Sequence, residues 1–151
     1  MRRLEGQMTL RESKVVLITD DDAGIRQLLC RALEHHELSC DTATDGSQAL
    51  EYLQARDYAV LLLDLMMPKV DGFSVLTAMS SWQKQLDTGP VVLVMTAFDG
   101  HLDLPVLDES VHALIRKPFD LPELAELVLG CVTLRRRSDM ARTSPTGRSD
   151  A

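Results

Sequence analysis

The chain has no apolar run near the roughly 20 residues needed to cross a bilayer, and its opening stretch, MRRLEGQMTLRESK, lacks the apolar segment of a secretory signal. Both absences point to a cytoplasmic protein without a membrane partner. Cysteine is scarce: Cys30, Cys40 and Cys131 are odd in number, widely spaced and never paired as CxxC. That pattern indicates neither a disulfide framework nor a zinc site, and each reads as a small buried hydrophobe. Positive charge is sparse in the middle of the chain. Residues 15–134 hold only 7 of the 16 lysines and arginines but 19 of the 23 acidic residues. So acidic a stretch cannot readily replace the counterions of nucleic acid, so no direct nucleic-acid binding is expected, and it suits a metal cation or a basic partner.

The chain, 151 residues long, is of ordinary single-domain size. Residues 1–14 lack periodicity and read as a flexible lead. Residues 15–134 carry the hydrophobic pattern of the domain. Residues 135–151 are basic, small and polar, and read as a disordered tail. Within the domain, Val15–Thr19 (VVLIT), Ala59–Leu63 (AVLLL) and Val91–Met95 (VVLVM) are continuous apolar runs, too short for core helices and typical of strands covered on both faces. Ser39–Thr44 and Ala113–Arg116 supply two shorter strands. Between them, Ile25, Leu28, Leu29, Ala32 and Leu33 recur at helical spacing behind Asp22, a capping residue, and that helix should end near His36. Ala49, Leu50 and Leu53 mark a second helix after the turn Asp45-Gly46-Ser47. Phe73, Val75, Leu76 and Met79 mark a third, finishing around Trp82. Leu104–Glu109, with Pro105 in its first turn, is expected to be a short fourth helix. Asp120-Leu121-Pro122-Glu123 resembles a capping box opening a fifth, which can reach Arg135-Arg136-Arg137. The arginine run reads as a solvated helix end.

Five alternations of strand and helix predict an α/β fold with a parallel sheet and helices on both faces. In such a sheet ligands bind at the carboxyl ends of the strands. The first strand runs into Asp20-Asp21-Asp22, the third into Asp64, the fourth into Thr96 and the fifth into Lys117. Carboxylates brought together repel; at 4 Å and an effective dielectric of 20 one pair costs about 4 kcal/mol, so a cation belongs among them. Hard oxygen donors without a clustered histidine or thiolate favour Mg²⁺, with Mn²⁺ tolerated. With Lys117 and the Thr96 hydroxyl added, the constellation suits acceptance of a phosphoryl group, Asp64 being the nucleophile. His35, His36, His101 and His112 are scattered and read as surface or loop residues.

Taken in order and spacing, Asp20-Asp21, LLLDLMMPKVDG, Thr96-Ala97 and Lys117-Pro118-Phe119 resemble the receiver domain of the two-component response regulator family over about residues 14–134. The resemblance implies a (βα)5 flavodoxin-like, doubly wound sandwich with strand order 2-1-3-4-5. It implies that Asp64 accepts phosphate from a sensor histidine kinase or histidine phosphotransfer protein. Asp21, Asp64 and the backbone carbonyl of Met66 would ligate Mg²⁺, Asp20 would help through water, Lys117 would pair with a phosphoryl oxygen, and the Thr96 hydroxyl would move to meet it. It further implies a downstream protein partner and a possible homodimer through the face of the fourth and fifth helices. Nothing after residue 134 is long or apolar enough for an output domain, so a stand-alone receiver is expected, either a switch of partner affinity or a phosphorelay intermediate.

Two positions depart from the family pattern. Leu114 stands where an aromatic toggle is common, and Ser110-Val111 replaces the usual Gly-Ala pair before the fifth strand. Met66 and Phe98 flank the path of an attacking water and cannot orient one, which predicts slow self-dephosphorylation. Met66 also occupies the place of the second aspartate of Mg²⁺-dependent aspartyl phosphatases, against an enzyme of that kind. A docking module that keeps the fold without phosphate turnover is the remaining alternative.

Overall fold

The computed structural model describes residues 15–67, 69–86, 89–97 and 111–143. Five strands, β1 (Val16–Thr19), β2 (Cys40–Ala43), β3 (Val60–Asp64), β4 (Val91–Thr96) and β5 (Ala113–Arg116), form one parallel sheet in the order β2-β1-β3-β4-β5. The four described helices are α1 (Ala23–Glu34), α2 (Gly46–Ala55), α3 (Gly72–Leu86) and α4 (Leu121–Thr143). This is the doubly wound architecture expected from the alternation. The helix expected at Leu104–Glu109 lies outside the described residues, as do Ser110 and Phe98.

Strand side chains alternate between the faces of a sheet, so a strand covered on both sides must be apolar throughout. Val16, Ile18, Val60, Leu62, Leu93 and Met95 join Leu29 and Leu33 of α1 and Leu124 and Val128 of α4 in one core. Leu17, Leu61, Leu63, Val92 and Val94 join Ala49 of α2 and Val75, Leu76 and Met79 of α3 in the other. Each of these leucines, fully buried, contributes about 1.5–3 kcal/mol relative to exposure. The sheet therefore forms a rigid base whose carboxyl edge holds the polar residues.

Capping residues set where the helices start. Asp22 accepts from the N–H groups of Gly24 (2.8 Å) and Ile25 (3.3 Å), Asp45 from Gln48 (2.9 Å), Asp71 from Ser74 (3.0 Å) and Asp120 from Glu123 (2.9 Å). Each of the four described helices thus opens at the end of the sheet where the strands finish. The third helix runs four residues past Trp82, to Leu86, through Gln83, Lys84 and Gln85, which favour helix.

The largest departure from expectation lies at α4, which continues as helix to Thr143, whereas the sequence extends it no further than Arg137 and reads the following residues as a disordered tail. Nor is Arg135 solvated. It is 7% exposed, and its guanidinium donates to the carbonyl of Tyr58 (3.0 Å), the carbonyl of Gly89 and the carboxylate of Asp57 (3.1 Å). It therefore ties the helix to the segments leading into β3 and β4.

Candidate functional site

Asp20 follows the last residue of β1 and is fully buried. Its Oδ1 accepts the Asp22 N–H at 2.9 Å and its Oδ2 takes the Lys117 ammonium at 2.8 Å. Asp64, the last residue of β3, is 3% exposed; its Oδ1 accepts the Met66 N–H at 3.1 Å and its Oδ2 lies 3.5 Å from Lys117 Nζ. Asp21 is exposed. One carboxylate oxygen from each of Asp20, Asp21 and Asp64 can be chosen so that all lie within 4.8 Å of one another.

Lys117 reaches these acids because parallel pairing sets β5 beside β4, with Thr96 opposite Arg116. The Lys117 N–H then donates to the Thr96 carbonyl at 2.8 Å, extending the ladder by one residue. The Lys117–Pro118 peptide is cis. Thr96 is fully buried at the end of β4. Of the residues singled out in the sequence, Asp20, Asp21, Asp64 and Lys117 come together as side chains. Thr96 is joined to them through its backbone. Met66 meets Asp64 through its N–H while its side chain is 59% exposed. Leu114 is exposed on β5.

Burial disfavours charge on Asp64 and is the main reason its carboxyl is pushed up to about 6; the neighbouring Asp20 adds to this, and the Met66 N–H and Lys117 offset part of it. Burial also opposes charge on Lys117. Its hydrogen bond to Asp20 and the charges of Asp20 and Asp64 outweigh that and hold the ammonium above its ordinary range. Lys117 pairs with Asp20 and Asp64 while Asp21 lies close to both, so among the described residues one ammonium is shared by a cluster of three carboxylates. The donors are all oxygens, which fits a hard divalent ion such as Mg²⁺.

Arg26 was not singled out from the sequence. Its guanidinium donates to the Asp20 carbonyl at 2.8 Å and so steadies the turn that carries the acidic pair. The available signal was its place one turn after the capping Asp22, on the first turn of α1.

A doubly wound α/β domain with an acidic cluster and a lysine at the carboxyl ends of β1, β3 and β5 defines a class of signalling domain. The chain belongs to the response regulator receiver domain family, which it matches over residues 16–129. It is 30% identical over 131 residues to the DNA-binding transcriptional regulator NtrC of Klebsiella pneumoniae, covering 87% of this chain and 27% of that protein. It is 33% identical over 131 residues to the response regulator MprA of Mycobacterium sp. (strain KMS), covering 86% and 52%. The chain thus spans between about a quarter and a half of the length of these curated relatives. Among solved structures, a CheY-like receiver domain protein of Methanospirillum hungatei JF-1 shares the fold at TM-score 0.72 and 28% identity, with 81% of this chain and 96% of that one covered. The response regulator TrrA of Thermotoga maritima, solved in complex with Mg²⁺-BeF, does so at TM-score 0.67 and 27% identity, with 78% and 98% covered.

Proposed function

We propose that this receiver domain accepts a phosphoryl group on Asp64 from a phosphohistidine and, in doing so, changes its affinity for a partner protein. An Asp64 carboxylate oxygen attacks phosphorus. The new O–P bond forms as the P–N bond to the donor imidazole breaks, and the departing nitrogen is protonated from solvent. The observation that carries this reading is Asp64 itself, a buried strand-end carboxylate held up at about 6, so that it is still ionised at neutral pH, 3.5 Å from a lysine.

Lys117 lies between Asp20 and Asp64 and would pair with an oxygen of the arriving phosphoryl group, which is where charge must be neutralised. Thr96, at the end of β4, is the hydroxyl assigned to a second phosphoryl oxygen. Asp20, Asp21, Asp64 and the Met66 carbonyl are the groups that would hold Mg²⁺. When bound, the ion would offset the negative charge gathered between the carboxylates and the phosphoryl oxygens. Nothing in this scheme asks Asp20 to leave Lys117, so its contribution to the metal is best made through water. The donor would be a sensor histidine kinase or a histidine phosphotransfer protein, and the location cytoplasmic.

Incubation with Mg²⁺ and acetyl phosphate, followed by intact mass, tests the reading. The wild type should gain one phosphate and Asp64→Asn should gain none. A wild type that binds Mg²⁺ yet gains no mass would reject phosphoacceptance in favour of a docking module.

A further inference from the structure

We infer that Gly46, at the start of α2, is a positioning residue that holds the loop after Asp64, and with it the Met66 carbonyl, in register with the acids at the ends of β1 and β3; this rests on the phosphoacceptor reading. The acids come from separate segments, Asp20 and Asp21 after β1 and Asp64 with Met66 after β3. The end of β2 and the turn after it are bonded to both. The carbonyl of Ala43 accepts the Asp20 N–H at 3.2 Å, and three residues later the Gly46 N–H donates to the Val70 carbonyl at 3.0 Å, in the loop that follows Asp64.

The approach at Gly46 leaves no space for a side chain. A Cβ there would overlap the Val70 carbonyl oxygen and lie 2.9 Å from its carbon and 2.7 Å from Val70 Cγ1. Because the obstruction is backbone, no rotamer change relieves it, and Val70 would have to retreat by about 1 Å to restore ordinary contact. Gly46 cannot retreat instead without disturbing its own support. Asp45 caps α2 through the Gln48 N–H at 2.9 Å, and Gln48 Oε1 accepts the Thr44 N–H at 2.7 Å. The other end of the loop is equally confined. The Gly72 N–H donates to the Leu65 carbonyl at 3.2 Å, and a Cβ at Gly72 would sit 2.6 Å from the Asp64 carbonyl oxygen. Val70 and Met66 belong to one short loop closed by the Gly72–Leu65 hydrogen bond, so on this inference a displaced Val70 moves the Met66 carbonyl. Mg²⁺ tolerates little departure from octahedral geometry at about 2.1 Å.

The experiment compares Gly46→Ala with the wild type and with Gly130→Ala, where an added Cβ meets nothing within 4 Å. Mg²⁺ is titrated and followed by backbone amide shifts, and acetyl phosphate labelling is measured across Mg²⁺ concentrations. Gly46→Ala should raise the Mg²⁺ Kd about tenfold or more while labelling at saturating Mg²⁺ recovers toward the wild-type rate; Gly130→Ala should change neither. A folded Gly46→Ala with a Kd within about twofold of wild type overturns the inference, since global destabilisation alone leaves the Kd of the folded fraction unchanged. Should Gly46→Ala not fold, exchange of the wild-type Gly46 amide decides. Mg²⁺ must slow it if the two sites are coupled, and an unchanged rate overturns the inference. A wild type that neither binds Mg²⁺ nor takes phosphate removes the phosphoacceptor reading itself, and the inference with it.

Discussion

Replacing Asp64 by asparagine should stabilise the metal-free protein. In the unfolded chain this carboxyl ionises near 3.8, and in the fold near 6, chiefly because it is buried and secondly because Asp20 is close. Between those values the folded state holds a proton that the unfolded state has released. Stability therefore falls as pH rises from about 4 to about 6 and stays lower above that. A shift of about two pH units corresponds to about 3 kcal/mol. Asparagine carries no charge to desolvate, and its amide oxygen can still accept the Met66 N–H. Urea denaturation in EDTA at several pH values should show the Asp64→Asn advantage near zero at pH 4, rising to at most about 3 kcal/mol above pH 6.5. At the plateau this is about 10 °C in Tm for a domain of this size. Added Mg²⁺ should narrow the gap, because it binds the wild type more tightly than the variant. An advantage of equal size at pH 4 and pH 7, or a variant less stable than wild type at pH 7 in EDTA, would refute the assignment of desolvation as the dominant effect.

Lys117→Met should have the opposite sign. It leaves two buried carboxylates facing each other and should cost about 3 kcal/mol at pH 7, an effect that shrinks in the Asp64→Asn background when the two are compared by urea titration. Thr19 Oγ1 is the one buried side-chain polar atom without a partner among the described residues, so Thr19→Val should raise stability by about 1 kcal/mol in the same assay. Arg135→Met removes the donor to two carbonyls and the Asp57 carboxylate and should cost about 2–3 kcal/mol, with amide exchange accelerated at the C-terminal end of α4. Met66 is apolar and exposed beside Asp64 and cannot orient a water, so the purified phosphoprotein should lose phosphate slowly and Met66→Asn faster; a wild-type half-life of seconds would contradict this.

Much of this site is readable along the chain because strand and acid are contiguous. A parallel strand covered on both faces is largely apolar, so β1 and β3 appear as apolar runs, and the acids at their carboxyl ends, Asp20 just after β1 and Asp64 as the last residue of β3, are placed by the strand itself. The caps at Asp22 and Asp120 are equally local. What escapes is long-range. Arg135 looks like its neighbours Arg136 and Arg137, and only its contacts with Asp57, Tyr58 and Gly89 distinguish it. The same contacts let α4 outrun the expected boundary. Asp45-Gly46-Ser47 reads as a turn, whereas Gly46 opens a helix and lies against Val70, a neighbour invisible to any local pattern. Arg26 belongs to the same group, since its partner is a backbone carbonyl.

The stability cost at Asp64 and the proposed chemistry there have one origin. A carboxylate made comfortable by full solvation or by a second lysine would gain little from a cation. Here burial and Asp20 leave the acid under-compensated, while Lys117 and the Met66 N–H keep it ionised at neutral pH. A metal ion would relieve the excess negative charge, and in the proposed reaction the arriving phosphoryl oxygens would find Lys117 beside Asp64. The two apolar cores on either side of the sheet are what allow the strand ends to hold that uncompensated charge. Removing the charge should therefore strengthen the fold and abolish phosphoacceptance in the same substitution, whereas a purely structural acid would weaken the fold when neutralised.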